Sequence, residues 1–253
     1  MDNTLTFYAR TETGLVRPSN QDMYGTVGEA SSLPASFILA DGMGGHANGQ
    51  LAAELAVSTL QAYLAEHLPE QNVPETIVSL LDDAIQKTNV RIYMESLEDE
   101  SNLGMGTTLT MVVVYAESIY LAHVGDSRCY LLRNNELEQL TRDQNLAGEL
   151  VLSGAITREE SRHHPNRNVL TQALGSSTYL APEVQHVDRR QGDRLLLCSD
   201  GLHGPVPDND IRNVMKKAKT PEAATQQLVD LALAAGGPDN VTALVIYLSG
   251  AKG

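Results

Sequence analysis

Short runs of apolar residues, broken by turn-forming residues, recur along this chain of 253 residues. Residues 4 to 10 alternate as in an edge strand, and Pro74 suits the first turn of a helix. The pattern predicts strands over 37–40, 107–115, 118–124, 129–133, 136–140, 183–188, 194–199 and 241–248. Apolar spacings of three to five predict helices over 50–67, 74–94, 209–218 and 221–235.

The order of these elements predicts an α+β fold. The strands between 107 and 140 follow each other with short links, which favours an antiparallel meander over a βαβ series. Helix pairs lie between the groups of strands, so we expect two layers of sheet covered by helices. No repeat, low-complexity tract or Pro/Gly linker divides the chain, and we therefore expect one domain over 1–253.

Composition narrows the class of protein without naming a function. The chain has 32 Asp and Glu against 18 Lys and Arg, and no basic patch suggests nucleic acid or an anionic membrane as a partner. Its two cysteines, Cys129 and Cys198, lie in apolar runs, which argues against a disulfide framework. The first residues resemble no signal peptide and no run is long enough to span a bilayer, so we expect a cytoplasmic protein.

Four aspartates flank apolar, strand-like runs. Asp41, Asp126 and Asp200 each follow such a run, and Asp239 precedes the last one. If the runs are neighbouring strands, four carboxylates meet at one edge of the sheet, where they would repel each other unless cations were bound. Oxygen ligands without cysteine or paired histidine favour Mg²⁺ or Mn²⁺. Two such ions about 4 Å apart can activate a bridging water for attack on phosphorus.

Two simpler interpretations compete with a metal centre. Asp-Gly and Asp-Asn are common turn dipeptides, so any one of these aspartates could serve a turn alone. The segment 42–47 also contains Gly-x-Gly-x-x-Ala between a strand and a helix, the outline of a dinucleotide-binding loop. However, Asp41 would face a pyrophosphate there, and the predicted helix leads to another helix instead of a second parallel strand.

Six short motifs in order give the chain a family resemblance over about residues 8–248. They are Arg-Pro-Ser-Asn-Gln-Asp at 17–22, Asp-Gly-Met-Gly-Gly-His at 41–46, Gly-Met-Gly-Thr-Thr at 104–108, His-Val-Gly-Asp-Ser-Arg at 123–128, Ser-Asp-Gly-Leu at 199–202 and Gly-Pro-Asp-Asn-Val-Thr at 237–242. Together they resemble the bacterial metal-dependent serine/threonine protein phosphatases of the PPM, or type 2C, family. The resemblance implies an αββα sandwich of two antiparallel sheets flanked by helix pairs, with a variable flap at about 145–168.

The resemblance also implies a set of metal ligands. Asp41 would bridge two core ions of Mg²⁺ or Mn²⁺, and the carbonyl group of Gly42 would bind one of them. Asp200 and Asp239 would bind the other core ion, while Asp126 together with Asp200 would hold a weaker third ion. The resemblance places Asp22 at or just outside the inner ligand sphere, through water. Gln21 stands where some members have Glu, which would leave one core ion with less protein charge.

Two residues are implied to act on the phosphate directly. Arg17 corresponds to the family's phosphate-binding arginine, whose planar fork suits two phosphate oxygens. His46 corresponds to the general acid that protonates the leaving oxygen, and imidazole titrates in a suitable range. Thr107 and Thr108 are expected to support the site by hydrogen bonds. His163 and His164 favour a structural role over metal binding.

The predicted activity is hydrolysis of phosphoserine and phosphothreonine in proteins by a metal-activated water, opposing a Ser/Thr kinase. We expect a monomer that acts on phosphoprotein substrates. The alternatives are a catalytically silent relative that only binds phosphoproteins and the dinucleotide enzyme described above.

Overall fold

The computed structural model describes residues 5–28, 32–44 and 46–249, with the side chains of His46 and Ala47 outside the description. Its strands form two sheets in which every described pair is antiparallel. The first sheet has the order β1 (Leu5–Glu12), β11 (Val241–Leu248), β10 (Arg194–Cys198), β7 (Arg128–Arg133) and β8 (Glu136–Gln139). The second has the order β2 (Asp22–Val27), β3 (Ala35–Met43), β5 (Leu109–Val114), β6 (Ser118–Val124) and β9 (Glu183–Asp188), with β4 (Gly106–Thr107) paired to β3.

Helices cover the outer faces of both sheets. α1 (His46–His67) and α2 (Pro74–Glu98) pack on the second sheet, whereas α5 (Asp200–His203), α6 (Asp208–Lys217) and α7 (Pro221–Ala234) pack on the first. Two short helices, α3 (Leu146–Leu152) and α4 (Arg158–Arg162), pack against each other within the flap. No described helix combines the length and apolarity needed to cross a membrane.

Alternation along the strands builds three apolar layers. In β11, Val241, Ala243 and Val245 face the helices, while Leu244 and Ile246 face the other sheet. The layer between the sheets also contains Phe37 and Leu39 from β3, Leu195 and Leu197 from β10, and Val112 and Val114 from β5. The predicted α+β sandwich with helices outside is therefore confirmed, and the antiparallel pairing excludes a parallel dinucleotide-binding sheet from the described residues.

The predicted meander over 107–140 is corrected by the structure. β5 and β6 pair in the second sheet, but β7 and β8 pair in the first, so the chain changes sheets between Val124 and Arg128. Gly125 makes this change possible because its φ of +103° lies in the left-handed region, which residues other than glycine rarely adopt.

Several predicted elements have different bounds in the structure. β2 was not predicted, the strand expected over 37–40 extends to Met43, and the second helix extends to Glu98. The loop expected over 96–106 contains a three-residue 3-10 turn, and the flap contains two helices where one was expected.

Candidate metal centre and phosphate site

The four aspartates lie at one end of the sandwich, and each sheet contributes two of them. Asp41 lies within β3 and Asp126 follows β6, whereas Asp200 follows β10 and Asp239 precedes β11. The expectation of a single sheet edge is therefore wrong: β3 and β6 belong to one sheet and β10 and β11 to the other. All four carboxylates nevertheless line one cavity of about 270 Å³.

The backbone of Asp41 is held by the two threonines that precede β5. Its N–H donates to Thr108 Oγ1 at 3.1 Å, and its carbonyl oxygen accepts from Thr107 Oγ1 and the Thr108 N–H, both at 2.9 Å. These bonds agree with the supporting role expected for the two threonines. A side chain at Gly42 would run into the carbonyl oxygen of Gly49 on α1, so glycine lets the strand and the helix approach each other here.

Asp22 lies behind the cavity and is absent from its lining. It pairs with Asp41 across β2 and β3 and is only 5% exposed. Its Oδ2 accepts from Ser199 Oγ and Thr242 Oγ1, each at 2.7 Å, while its buried Oδ1 has no hydrogen-bond partner among the described residues. Burial raises the pKa of Asp22 to about 6, although the two hydroxyl donors oppose the shift.

Burial and mutual repulsion disfavour charge throughout the cluster. The pKa values of Asp41 and Asp200 lie well above the usual range, first because of burial and then because of the neighbouring carboxylates. Burial also raises the pKa of Asp126 to about 6, against the hydrogen bond from Asn145. A divalent cation would reverse this balance, because it stabilises the ionised form of every carboxylate near it.

Asp126 is fixed from two directions. Asn145 Nδ2 donates to its Oδ2 at 3.1 Å, and His203 Nε2 lies 2.9 Å from its backbone carbonyl oxygen. Burial lowers the pKa of His203 to about 3, so its imidazole is neutral and can donate this one hydrogen bond.

Arg17 reaches the cavity from the loop before β2. Its Nη2 donates to Asp239 Oδ2 at 2.7 Å, and this hydrogen bond is the main reason that its pKa is raised. Asn240 secures the loop: its Nδ2 donates to the carbonyl oxygens of Thr13 and Ser19, and its Oδ1 accepts from the Gln21 N–H. A guanidinium is thus held over the acidic cavity, with donor groups left for an anion.

The structure describes the remaining predicted residues to different extents. The Gly42 N–H donates to the carbonyl oxygen of Gln21 at 3.1 Å, which brings both residues to the cavity wall. His46 begins α1, but its side chain lies outside the described residues, so its proposed role stays a prediction. His163 is the C-cap of α4 through its backbone N–H, and His164 Nδ1 accepts from the Asn166 N–H; the structural role expected for the pair stays a prediction.

The donor set fits small divalent cations. Among the described residues, no three His, Cys, Asp or Glu side chains are gathered closely enough to form an ion cage on their own. The carboxylates line a cavity instead, so an ion would share them with water and a backbone carbonyl group. Magnesium-type ions are bound in this way, by one or two carboxylates with several waters retained.

Five supporting residues received no individual role from the sequence. They are Asn145, Ser199, His203, Asn240 and Thr242. Ser199, Asn240 and Thr242 lie inside the motifs beside the aspartates, where their position was a usable signal. Asn145 and His203 lie outside the six motifs, so the sequence offered no signal for them.

Comparison with known proteins places the chain in one family. The family model described as Protein phosphatase 2C matches residues 16–239. The chain therefore belongs to the protein phosphatase 2C family.

Bacterial phosphatases are among its most similar relatives. It is 41% identical to the serine/threonine protein phosphatase PstP of Mycobacterium tuberculosis over 95% of this chain and 44% of that protein. It is 36% identical to the serine/threonine phosphatase stp of Listeria monocytogenes serotype 4b over 94% of this chain and 93% of that one. The chain thus spans less than half of the length of PstP but nearly all of stp.

A solved structure extends the similarity to three dimensions. The catalytic domain of a serine/threonine protein phosphatase PstP, in complex with two manganese ions, matches with a TM-score of 0.84 and 36% identity. The match covers 97% of this chain and 99% of that one.

Proposed function

We propose that this protein hydrolyses phosphoserine and phosphothreonine in phosphoproteins and that it depends on Mg²⁺ or Mn²⁺. One observation carries the proposal: a single cavity joins four aspartates from two sheets to the guanidinium of Arg17. An acidic cavity repels a phosphate unless cations intervene, whereas an arginine at its edge attracts one. The names of the relatives support the same activity, and we propose that 1–253 act as one catalytic domain.

Specific residues would hold the ions. Asp41, the Gly42 carbonyl group, Asp200 and Asp239 would hold two core ions, and Asp126 with Asp200 would hold a weaker third. Asp22 lies behind Asp41 and would act on it through charge and through water. When bound, such ions stabilise negative charge on a phosphoryl group and lower the pKa of water.

The residues of the chain position the substrate around that centre. Arg17 is held toward the cavity by Asp239, and its remaining N–H groups can bind two phosphate oxygens and orient the group. Asn240 attaches the Arg17 loop to the start of β11 by its hydrogen bonds to the loop backbone. His46, at the start of α1, is proposed to donate a proton to the leaving seryl or threonyl oxygen.

The test is hydrolysis of a phosphothreonine peptide with Mn²⁺, with and without excess chelator. We expect activity only with the ion, and Asp239→Asn should lower it on the order of 10²-fold. Asp230→Asn is the matched control, because Asp230 also pairs with an arginine, at 2.8 Å from Arg10, but is 65% exposed on the surface. Full turnover in chelator, or equal losses in the two variants, would contradict the proposal.

Partners and location complete the proposal. The phosphoprotein substrates would include targets of a Ser/Thr kinase whose action this enzyme opposes, and the enzyme would work as a monomer in the cytoplasm. A phosphoproteomic comparison of cells with and without the protein would identify those targets. An unchanged set of phosphoserine and phosphothreonine sites would count against this assignment.

A further inference from the structure

The loop that carries Arg17 also presents two apolar side chains to solvent. Leu15 and Val16 are 68% and 69% exposed, and of the large apolar side chains that the structure describes only Tyr179 is more exposed. Pro18, on the other side of Arg17, is exposed as well and lines the acidic cavity. Apolar residues therefore flank the arginine on both sides in the chain.

This loop is fixed to the fold by its backbone. The Leu15 N–H donates to the Gly237 carbonyl oxygen at 2.8 Å. Asn240 Nδ2 donates to the carbonyl oxygens of Thr13 and Ser19, at 2.9 and 2.8 Å. The loop is thus held on both sides of the exposed pair by hydrogen bonds that need neither apolar side chain. A surface that is already ordered loses little conformational entropy when a ligand binds to it.

Leu15 is the exposed edge of an apolar surface that begins in the core. A Cβ atom placed on Gly237 would lie 3.1 Å from Leu15 Cγ and 3.2 Å from Leu233 Cδ2, so both leucines lie against this glycine. Leu233 in turn packs on the apolar layer between α7 and the first sheet. The apolar surface therefore runs from Leu233 through Leu15 to the phosphate-binding edge of the cavity at Arg17.

The position of this surface indicates which ligand it meets. When Arg17 holds the phosphoryl group of a phosphoprotein, the residues beside the phosphorylated one lie at the cavity edge. An extended chain advances about 3.3 Å per residue, so substrate residues within about three positions of the phosphate can reach Leu15 and Val16. An apolar side chain of the substrate is the group that gains from this contact, because both surfaces are removed from water.

We propose that Leu15 and Val16 are specificity-determining residues that bind an apolar side chain close to the phosphorylated serine or threonine of the substrate. The inference rests on the proposed function, because it takes the ligand of Arg17 to be a phosphoprotein. Phosphate binding and recognition of the neighbouring residue are then carried by adjacent residues of one fixed loop. Substrates with Leu, Ile, Met or Phe within about three residues of the phosphate are preferred over substrates with polar residues there.

The test compares phosphothreonine peptides that differ in one residue. The peptides are built from serine and glycine, with a single leucine placed in turn at each of the three positions before and after the phosphothreonine; a leucine-free peptide is the reference. With Mn²⁺ present, kcat and KM are measured for the unmodified protein and for the double variant Leu15→Ser/Val16→Ser. Leu97→Ser is the matched control, because Leu97 is 56% exposed on α2 and lies outside the cavity lining.

The unmodified protein should prefer leucine at one or two of these positions. There, kcat/KM should exceed that of the reference peptide about 10-fold, which is the discrimination that a single apolar contact provides. The gain should lie in KM, because the contact is the same in the bound substrate and in the transition state. The preference should be lost in the double variant and retained in Leu97→Ser.

Hydrolysis without a leucine preference in the unmodified protein would overturn the inference alone. A preference that survives in the double variant, or that is lost equally in Leu97→Ser, would overturn it as well. If the double variant keeps the preference but sediments differently, the surface is a contact between copies of the chain and the inference is wrong. Absence of Mn²⁺-dependent hydrolysis of every peptide would instead refute the proposed function, so the two failures are distinguishable.

Discussion

Replacement of Asp22 by asparagine should stabilise the ion-free protein at neutral pH. The substitution keeps the shape of the side chain, and one oxygen can still accept from Ser199 and Thr242. It removes a buried charge that faces Asp41 across the β2–β3 pair. Most single substitutions destabilise a protein, so an increase in stability is a discriminating outcome.

The magnitude follows from the pKa of Asp22. Burial raises it from the ordinary 3.8 to about 6 in the folded state. Each pKa unit corresponds to about 1.4 kcal/mol, so ionising Asp22 costs the fold about 3 kcal/mol above pH 7. Because the folded state binds the proton of Asp22 more tightly than the unfolded state does, protonated Asp22 stabilises the fold, and this stabilisation is fully present below pH 3.8. It is lost as the pH rises through about 6.

Urea unfolding in chelator at pH 4 and pH 7.5 measures this difference. The free energy of unfolding of Asp22→Asn should exceed that of the unmodified protein by about 3 kcal/mol at pH 7.5, which corresponds to about 6 to 12 °C in Tm. At pH 4 the two free energies should differ little. Excess Mn²⁺ should narrow the gap at pH 7.5, because ions offset the repulsion only when Asp22 is charged.

Asp143→Asn provides a control of opposite sign. Asp143 is partly buried, and Arg128 donates to both of its oxygens, at 2.8 and 2.6 Å. Burial alone would raise the pKa of Asp143, and the charge and hydrogen bonds of Arg128 instead lower it to about 2. Asp143→Asn should therefore destabilise the protein at pH 7.5. The reasoning fails if both variants shift stability in the same direction, or if the Asp22→Asn difference does not depend on pH.

Three further predictions test the cavity edge and the core. Arg17→Lys should raise the KM for a phosphopeptide about 10-fold with unchanged Mn²⁺ affinity, because lysine cannot bind two oxygens in a planar fork; an unchanged KM would contradict the role. Asn240→Ala leaves three backbone groups without their partner and should lower the free energy of unfolding by about 1–3 kcal/mol in urea. Leu244→Ala, between the sheets, should lower the free energy of unfolding by about 2–5 kcal/mol. Leu231→Ala should lower it far less, because Leu231 is 38% exposed.

Local pattern predicted most elements of the fold, but not how the strands divide between the sheets. β6 and β7 are equally apolar and only three residues apart, so nothing in their pattern separates them into different sheets. β2 escaped prediction because Gly25 interrupts it. Its strand conformation depends on pairing with β3, and a side chain at Gly25 would clash with Val57 of α1.

The candidate site shows the same boundary between local and long-range information. The positions of Asp41 and Asp200 beside apolar runs and glycines were visible in the chain. The hydrogen bonds of Ser199 and Thr242 to Asp22 cross about 180 and 220 positions of sequence, and no local pattern reports such contacts. The ion pair of Arg17 with Asp239 is equally long-range.

Because the four aspartates are divided between the two sheets, bound ions would also affect how the sheets pack against each other. Most of the inter-sheet layer is apolar. At the acidic end, however, the sheets are linked by the hydrogen bonds of Asp22 on β2 to Ser199, which follows β10, and to Thr242 in β11. An ion shared by Asp41 and Asp200 would join the same two sheets close to the hydrogen bonds of Asp22. Ion binding and inter-sheet packing should therefore be linked, and ions at 100 times their Kd would stabilise the fold by about 2.7 kcal/mol per site. The ions that the proposed reaction requires would therefore also stabilise the fold, by linking its two sheets at the acidic end.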